Sequence, residues 1–254
     1  MTWIKPGHGI ARMLGSAMAD EAVAIPPYLA RTYWWAYVHP WAVRLFERPW
    51  LINLILWGNF SRLRDAALDA LGERLEGLTL QIACVYGDLT ARLAQRVATR
   101  GRLDLVDVLP VQLENASRKL PPGAPVSFLH ADSADLRLAS RSYDRVLLFF
   151  LLHEQPEAVR RRTLAEALRV LKPGGRLVVV DYHRPSPLNP LYWLMAGVLC
   201  ALEPFALDLW RHELDRWLPG AALPRAATVR TLFGGLYQVR IYTASGNPYR
   251  TGGP

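Results

Sequence analysis

The sequence predicts an α/β fold, a doubly wound, mostly parallel, seven-stranded sheet preceded by a helical, aromatic-rich extension. Three observations predict it. From Leu78 onward, short aliphatic runs alternate with amphipathic segments of helical period, the rhythm of successive βαβ units. The run Tyr143–Leu151 is apolar almost throughout, as expected of a strand buried on both faces. Polar or acidic residues follow the ends of the runs, at Asp88, Asp107, Asp132, His153-Glu154 and Asp181.

The elements follow in order. Residues 1–27 end in Ile25-Pro26-Pro27 and read as a flexible lead-in. Residues 28–75 read as a helical cap. Ten aromatic residues lie between Tyr28 and Phe60, and Pro40 and Pro49 divide this stretch into short helices, one of them Pro49–Trp57. Trp and Tyr mixed with Arg31, Arg44 and Arg48 suit a cap packed on the core, and equally a lipid-facing or ring-binding surface. A longer helix runs over Arg62–Leu75. Residues 76–245 form the α/β body. Strands are expected over Leu78–Val85, Leu103–Val108, Val126–His130, Tyr143–Leu151, Arg176–Asp181, Ala227–Phe233 and Leu236–Thr243. Helices are expected over Thr90–Thr99, Pro110–Lys119 and Pro156–Leu171. Lys172-Pro173-Gly174-Gly175 is a turn signal, and residues 185–218 are an apolar insertion.

Bulk composition narrows the function class. A hydrophobic content of 51% against 20% charged residues excludes a disordered chain. The net charge of +8 suits an anionic bilayer surface or nucleic acid. The basic residues form no tract and are scattered among apolar ones, which favours a membrane surface and no nucleic-acid partner. Cys84 and Cys200 share no CxxC spacing, so a disulfide framework or zinc site is not expected, and a reducing compartment fits. No apolar run reaches the roughly 18 residues of a membrane span, and no secretory signal pattern opens the sequence. The expectation is a cytoplasmic protein, peripheral on the inner face of the membrane.

In an open parallel sheet, ligands bind beyond the carboxyl ends of the strands. After the first strand come Tyr86, Gly87 and Asp88, where glycine permits close backbone approach and the next helix presents free N–H groups. Asp107 follows the second strand, twenty residues beyond Gly87, a spacing suited to a ribose diol. Asp132 and Ser133 follow the third strand and could hold an adenine amino group. His153 and Glu154 follow the fourth, and Asp181, Tyr182 and His183 the fifth.

These residues carry a resemblance. Leu78–Asp181 resembles a class I S-adenosylmethionine (SAM)-dependent methyltransferase domain, most similar to the quinone C-methyltransferase branch, in Tyr143-Asp-Arg-Val146, Leu152-His-Glu154 and the run from Leu168 through Lys172-Pro-Gly-Gly175 to Asp181. It implies Gly87 against the methionine moiety, Asp107 on the ribose hydroxyls, and Asp132 with Ser133 beside adenine. The superfamily's acid-x-Gly-x-Gly-x-Gly loop is here Gln81-Ile-Ala-Cys-Val-Tyr-Gly87, without the acid or the first two glycines. Val85 and Tyr86 are expected to crowd the methionine end.

That departure, with Tyr33–Pro40, Trp50–Phe60, Val85–Asp88, Phe149–Pro156, Asp181–Pro185 and Glu203–Trp210, is similar to the rhodoquinone-biosynthesis methyltransferase-like proteins. The likeness implies exchange of a methoxy group of ubiquinone for an amino group, with SAM as amino donor and manganese as helper ion. His153 and His183 are the candidate proton-transfer groups, with ordinary pKa values in the working range. Tyr182 is a candidate donor to the quinone oxygen, and Tyr86 is expected to shape the amino-acid end of SAM. For the metal, Asp132, Asp181, His153 and Glu154 are available, but their spacing singles out no set, and the oligomeric state is left open. Two further readings stand beside this one: a conventional methyltransferase acting on a quinone or lipid-like aromatic, and an inactive SAM-binding scaffold in a quinone-synthesis complex.

Overall fold

The computed structural model describes residues 23–219 and 226–244. The expected lead-in falls, for residues 1–22, outside the described residues. The cap begins with three short helices, α1 (Pro27–Thr32), α2 (Pro40–Phe46) and α3 (Pro49–Ile55), with a π-helical turn over Trp34–Val38. Each of the three helices begins at a proline, whose fixed φ and missing N–H suit the first helical position. A longer helix, α4 (Phe60–Leu71), leads into the sheet.

The α/β body runs β1 (Leu75–Ile82), α5 (Leu89–Arg96), β2 (Val97–Asp107), α6 (Pro110–Arg118), β3 (Val126–His130), β4 (Tyr143–Phe149), α7 (Glu157–Val170) and β5 (Leu171–Tyr182). The insertion follows with α8 (Leu191–Leu202) and α9 (Leu207–Arg211), and β6 (Ala226–Leu232) and β7 (Tyr237–Thr243) close the chain's described part. The seven strands are ordered β3-β2-β1-β4-β5-β7-β6. The first five are parallel, and β7 pairs antiparallel with β5 and β6. The seven-stranded, mostly parallel expectation is therefore borne out. Strand order reverses between β1 and β4, so a crevice opens at their carboxyl ends.

Boundaries shift where the chain bulges. β1 starts three residues before its expected position and stops at Ile82, because Ala83 adopts φ 72° and turns the backbone out of the ladder. The Lys172–Gly175 turn lies inside β5: Tyr143 pairs with Leu171 but Arg145 pairs with Arg176, so the four residues form a bulge. Lys172 Nζ anchors it on the Asp144 carboxylate at 2.8 and 2.9 Å. Leu80, Ile82, Val146, Leu147, Leu148 and Val178–Val180 fill the sheet's centre and are fully buried. Among the described residues, no helix is long and apolar enough to cross a membrane.

Candidate functional site

A cavity of about 490 Å³ lies over the carboxyl ends of β1 to β5. Its floor is Ile82–Tyr86, Val106–Leu109, Ala131–Ser133, Phe149–Leu151, His153, Glu154 and Tyr182. The cap forms its roof through Tyr28, Tyr33, Tyr37 and Phe46, and α8 closes one wall through Met195, Leu199 and Glu203. The volume is within the range of small-molecule sites, and the wall is largely apolar with a few converging polar groups.

Asp107 ends β2 and is nearly buried. Its Oδ2 accepts the Cys84 N–H at 2.7 Å and its Oδ1 the Leu109 N–H at 2.8 Å. Burial pushes its carboxyl up, and those two backbone donors oppose the rise. It thus ties the loop after β1 to β2, with further lone pairs left for a ligand. Asp132 accepts the Ala134 N–H at 2.8 Å, and Ser133 Oγ joins Thr163 Oγ1 at 3.0 Å and Gln155 Nε2 at 3.0 Å. Asp107, Asp132 and Ser133 all line the same cavity, so the structure brings these expected ligand residues together.

Tyr86 lines the same cavity and also supports the cap. Its hydroxyl donates to the Ala36 carbonyl at 2.7 Å and accepts from Gln112 Nε2 at 2.9 Å. Its ring stacks on Tyr37 and Phe46, each with centroids 5.8 Å away. The residue standing in the glycine loop is therefore the post on which the cap rests.

Three expected site residues fall outside the cavity lining. Gly87, at φ 84°, packs against the cap: an added Cβ would lie 2.7 Å from Phe60 Cζ. Its N–H donates to Glu47 Oε1 at 2.8 Å, and Lys119 and Asn115 hold the same carboxylate. The Gly87 N–H is thus taken by a side chain of the cap. Asp88 is half-exposed and pairs with Arg64 at 2.8 Å and Arg92 at 2.5 Å; burial pushes its carboxyl up, but the hydrogen bonds and charges of the two arginines together outweigh it and hold it below the ordinary range. His183 Nδ1 meets the Gly235 carbonyl at 2.8 Å, which sets it at the antiparallel edge.

His153, by contrast, sits at the cavity floor, 5% exposed. Its Nδ1 lies 3.0 Å from Asp181 Oδ1. Asp181 is fully buried and accepts the N–H groups of Leu152, His153 and Tyr182 as well. Four contacts fix that carboxylate, and it in turn fixes the imidazole. Burial opposes a charged His153, but Asp181, with Glu203 and Glu154 behind it, outweighs it and raises the pKa to about 9. Tyr182 places its ring edge-on to His153, centroids 4.9 Å apart.

Two further carboxyls, both hidden from sequence reasoning as partners, complete the polar end. Glu154 Oε1 lies 3.8 Å from His153 Nε2 and accepts the Tyr37 hydroxyl. Burial pushes its carboxyl up to about 8, against the pull of His153. Glu203, from the end of α8, is raised in the same direction by burial, and its Oε2 has no hydrogen-bond partner of good geometry. The Asp181–His153 pairing was findable, since both follow adjacent parallel strands. Glu203 carried no such signal.

Among the described residues, no group of three or more His, Cys, Asp or Glu side chains is arranged to hold a metal ion. Asp181, His153 and Glu154 are engaged with one another, and Asp132 serves its own loop. The residues present do not fit the manganese that the family resemblance implies, and no step below uses it. They do fit an adenosyl cofactor: a buried acid with spare lone pairs and a second acid–hydroxyl pair stand at neighbouring strand ends.

Residues 79–175 match the Methyltransf_25 family of methyltransferase domains. An uncharacterised methyltransferase of Synechocystis is 33% identical over 168 residues, 66% of this chain and 74% of its own length. One from Mycobacterium tuberculosis is 29% identical over 200 residues, 74% of this chain and 94% of its own. The ubiquinone/menaquinone biosynthesis C-methyltransferase UbiE of Ectopseudomonas mendocina is 34% identical over 145 residues, 56% of this chain and 55% of that protein, so this chain aligns with about half of it. Among solved structures, N-methyltransferase NodS from Bradyrhizobium japonicum, in complex with S-adenosyl-l-homocysteine, superposes with a TM-score of 0.54 at 16% identity, covering 79% of this chain and 90% of its own. A SAM-dependent methyltransferase from Aquifex aeolicus gives 0.53 at 18% identity, covering 81% and 98%. At those identities the likeness is one of fold.

Proposed function

The chain belongs to the class I SAM-dependent methyltransferases, and from that premise we propose that it acts on the ring of ubiquinone, exchanging a methoxy group for an amino group to give rhodoquinone, with SAM as amino donor. The observation that carries this reading is the His153–Asp181 pair at the floor of a cavity whose roof and wall are aromatic and aliphatic. A flat, apolar ring with polar carbonyls matches such a lining. Support for the amino-transfer step comes from the family-like segments in the cap and insertion, and from a glycine loop rebuilt around Tyr86.

The cofactor, when bound, supplies the transferred group; Asp107 would hold its ribose hydroxyls, and Asp132 with Ser133 its adenine. This chain's residues handle protons. Exchange at the ring would form a C–N bond and break the ring's C–O bond, with one proton leaving nitrogen and one reaching the departing methoxy oxygen, and delivery of a free amine would also require the nitrogen's bond to the donor's α-carbon to break. His153, protonated at neutral pH and held by Asp181, is the acid for the quinone or methoxy oxygen. Glu154, with its ionisation raised toward neutrality, is the base for the nitrogen. Tyr182, beside His153, orients the ring.

The second reading is conventional methylation of a quinone or lipid-like aromatic, which the methyltransferase names of the relatives favour. Incubation of the purified chain with SAM and ubiquinone, followed by mass analysis, separates the two. Exchange of methoxy for amine supports the first reading, and gain of a methyl group the second. SAM binding without turnover of ubiquinone or its demethylated precursors would leave only a scaffold.

A further inference from the structure

We propose that the cap and α8 together form a face that seats on an anionic lipid bilayer, with the cavity mouth against the acyl region, so that the substrate enters from the lipid and not from water.

The argument begins with α8. A helix facing water on one side carries polar residues there. α8 reads Leu-Tyr-Trp-Leu-Met-Ala-Gly-Val-Leu-Cys-Ala-Leu, with no charged residue, yet only Met195 and Leu199 are buried. Trp193 is 72% exposed and Leu194 and Leu202 about half. The other large exposed apolar side chains concentrate in the cap: Trp34, Trp35, Trp41, Trp50, Leu54, Ile55 and Trp57.

The two elements meet at the cavity. Trp57 Nε1 donates to Met195 Sδ at 3.1 Å, joining the end of α3 to α8. Trp35, Leu54, Ile55, Trp57 and Leu202 are exposed and line the cavity at once, so they are its rim. An apolar rim around an apolar cavity costs hydration in water and loses that cost against lipid.

Charge selects the occupant. Between residues 28 and 64 the chain has five arginines and a single acid, Glu47, which is held by Lys119 and the Gly87 N–H. Residues 182–202 contain no acid. Arg31, Arg44 and Arg48 are exposed and have no ion-pair partner among the described residues. Tryptophan beside arginine is the composition of a bilayer interface, and the positive sign suits anionic headgroups. A protein partner or a second copy would need a complementary acidic apolar surface, which this face does not offer itself.

Flotation of the full chain with vesicles tests the proposal without turnover, so it can fail while the quinone reading stands, and the reverse. Binding to phosphatidylglycerol–phosphatidylcholine vesicles well above that to phosphatidylcholine alone is expected. Arg44→Gln/Arg48→Gln should weaken partitioning about thirtyfold, and Trp193→Ser/Leu194→Ser at least about tenfold. Arg74→Gln/Arg100→Gln, the same charge change at the amino ends of the strands, should leave it near wild type. Circular dichroism and thermal melts confirm that each variant folds. No vesicle binding, an equal loss in the Arg74/Arg100 variant, or a solution dimer that dissociates with Trp193→Ser/Leu194→Ser would each overturn the proposal.

Discussion

Nδ1 of His153 lies 3.0 Å from Oδ1 of Asp181, and the carboxylate is held in turn by three backbone N–H groups. That contact sets which imidazole nitrogen faces the carboxylate and leaves Nε2 toward Glu154. Asp181→Asn keeps the shape and removes the charge. We expect turnover to fall by about 10²-fold or more, with the alkaline limb of the pH–rate profile shifted to lower pH, measured by product formation at saturating quinone. His153→Gln should lose at least as much, and an Asp181→Asn enzyme with an unshifted profile would argue against the pair's role.

Stability should fall as pH rises through the alkaline side of neutrality. His153 goes from an ordinary value of 6.5 to about 9 on folding, so its contribution is complete below about 6.5 and is lost as pH climbs through 9. Glu154, raised from 4.5 to about 8, acts with the same sign, because the folded state prefers its neutral form. Urea midpoints measured from pH 6 to pH 9.5 should decline, and His153→Gln/Glu154→Gln should flatten the decline.

Asp107→Asn retains two acceptor lone pairs on one oxygen but cannot serve both backbone donors and a ribose diol. Calorimetric titration should show SAM affinity down by about tenfold to a hundredfold, the loss of one or two charged hydrogen bonds. Asp88→Asn, outside the cavity lining and turned toward Arg64 and Arg92, should leave SAM affinity unchanged.

Tyr86→Phe keeps the stack on Tyr37 and Phe46 and deletes the hydroxyl that Ala36 and Gln112 share. It should cost about 0.5–1.5 kcal/mol in denaturant unfolding. Tyr86→Gly removes the stack as well. Limited proteolysis should then cut within residues 33–57 sooner than in the wild type, whatever the effect on SAM binding.

Gly87→Ala combines a left-handed backbone with a Cβ 2.7 Å from the Phe60 ring. A loss of about 1–3 kcal/mol is expected, read from the urea midpoint, with the cap's proteolytic susceptibility rising alongside.

The strands were legible because burial on two faces demands unbroken apolar runs, as in Tyr143–Phe149, and the acids after them because a parallel sheet has one ligand-binding edge. Tyr86, Asp107, Asp132, Ser133, His153 and Tyr182 accordingly fall on one cavity. Gly87, Asp88 and His183 stand next to the same strand ends but face elsewhere, since the cap's Glu47 and Phe60, the arginines of α4 and α5, and the β6–β7 turn reach them first.

Amino-acid order alone thus determined the sheet, its parallel core and the edge on which the cavity opens, for periodicity and strand-end polarity are local properties. What closes over that edge was decided only in three dimensions. Tyr37 meets Glu154 across 117 residues and Trp57 meets Met195 across 138. Contacts at such separations are written in no window of sequence; they follow from how the cap and α8 bury what they can of their apolar surface against the finished sheet.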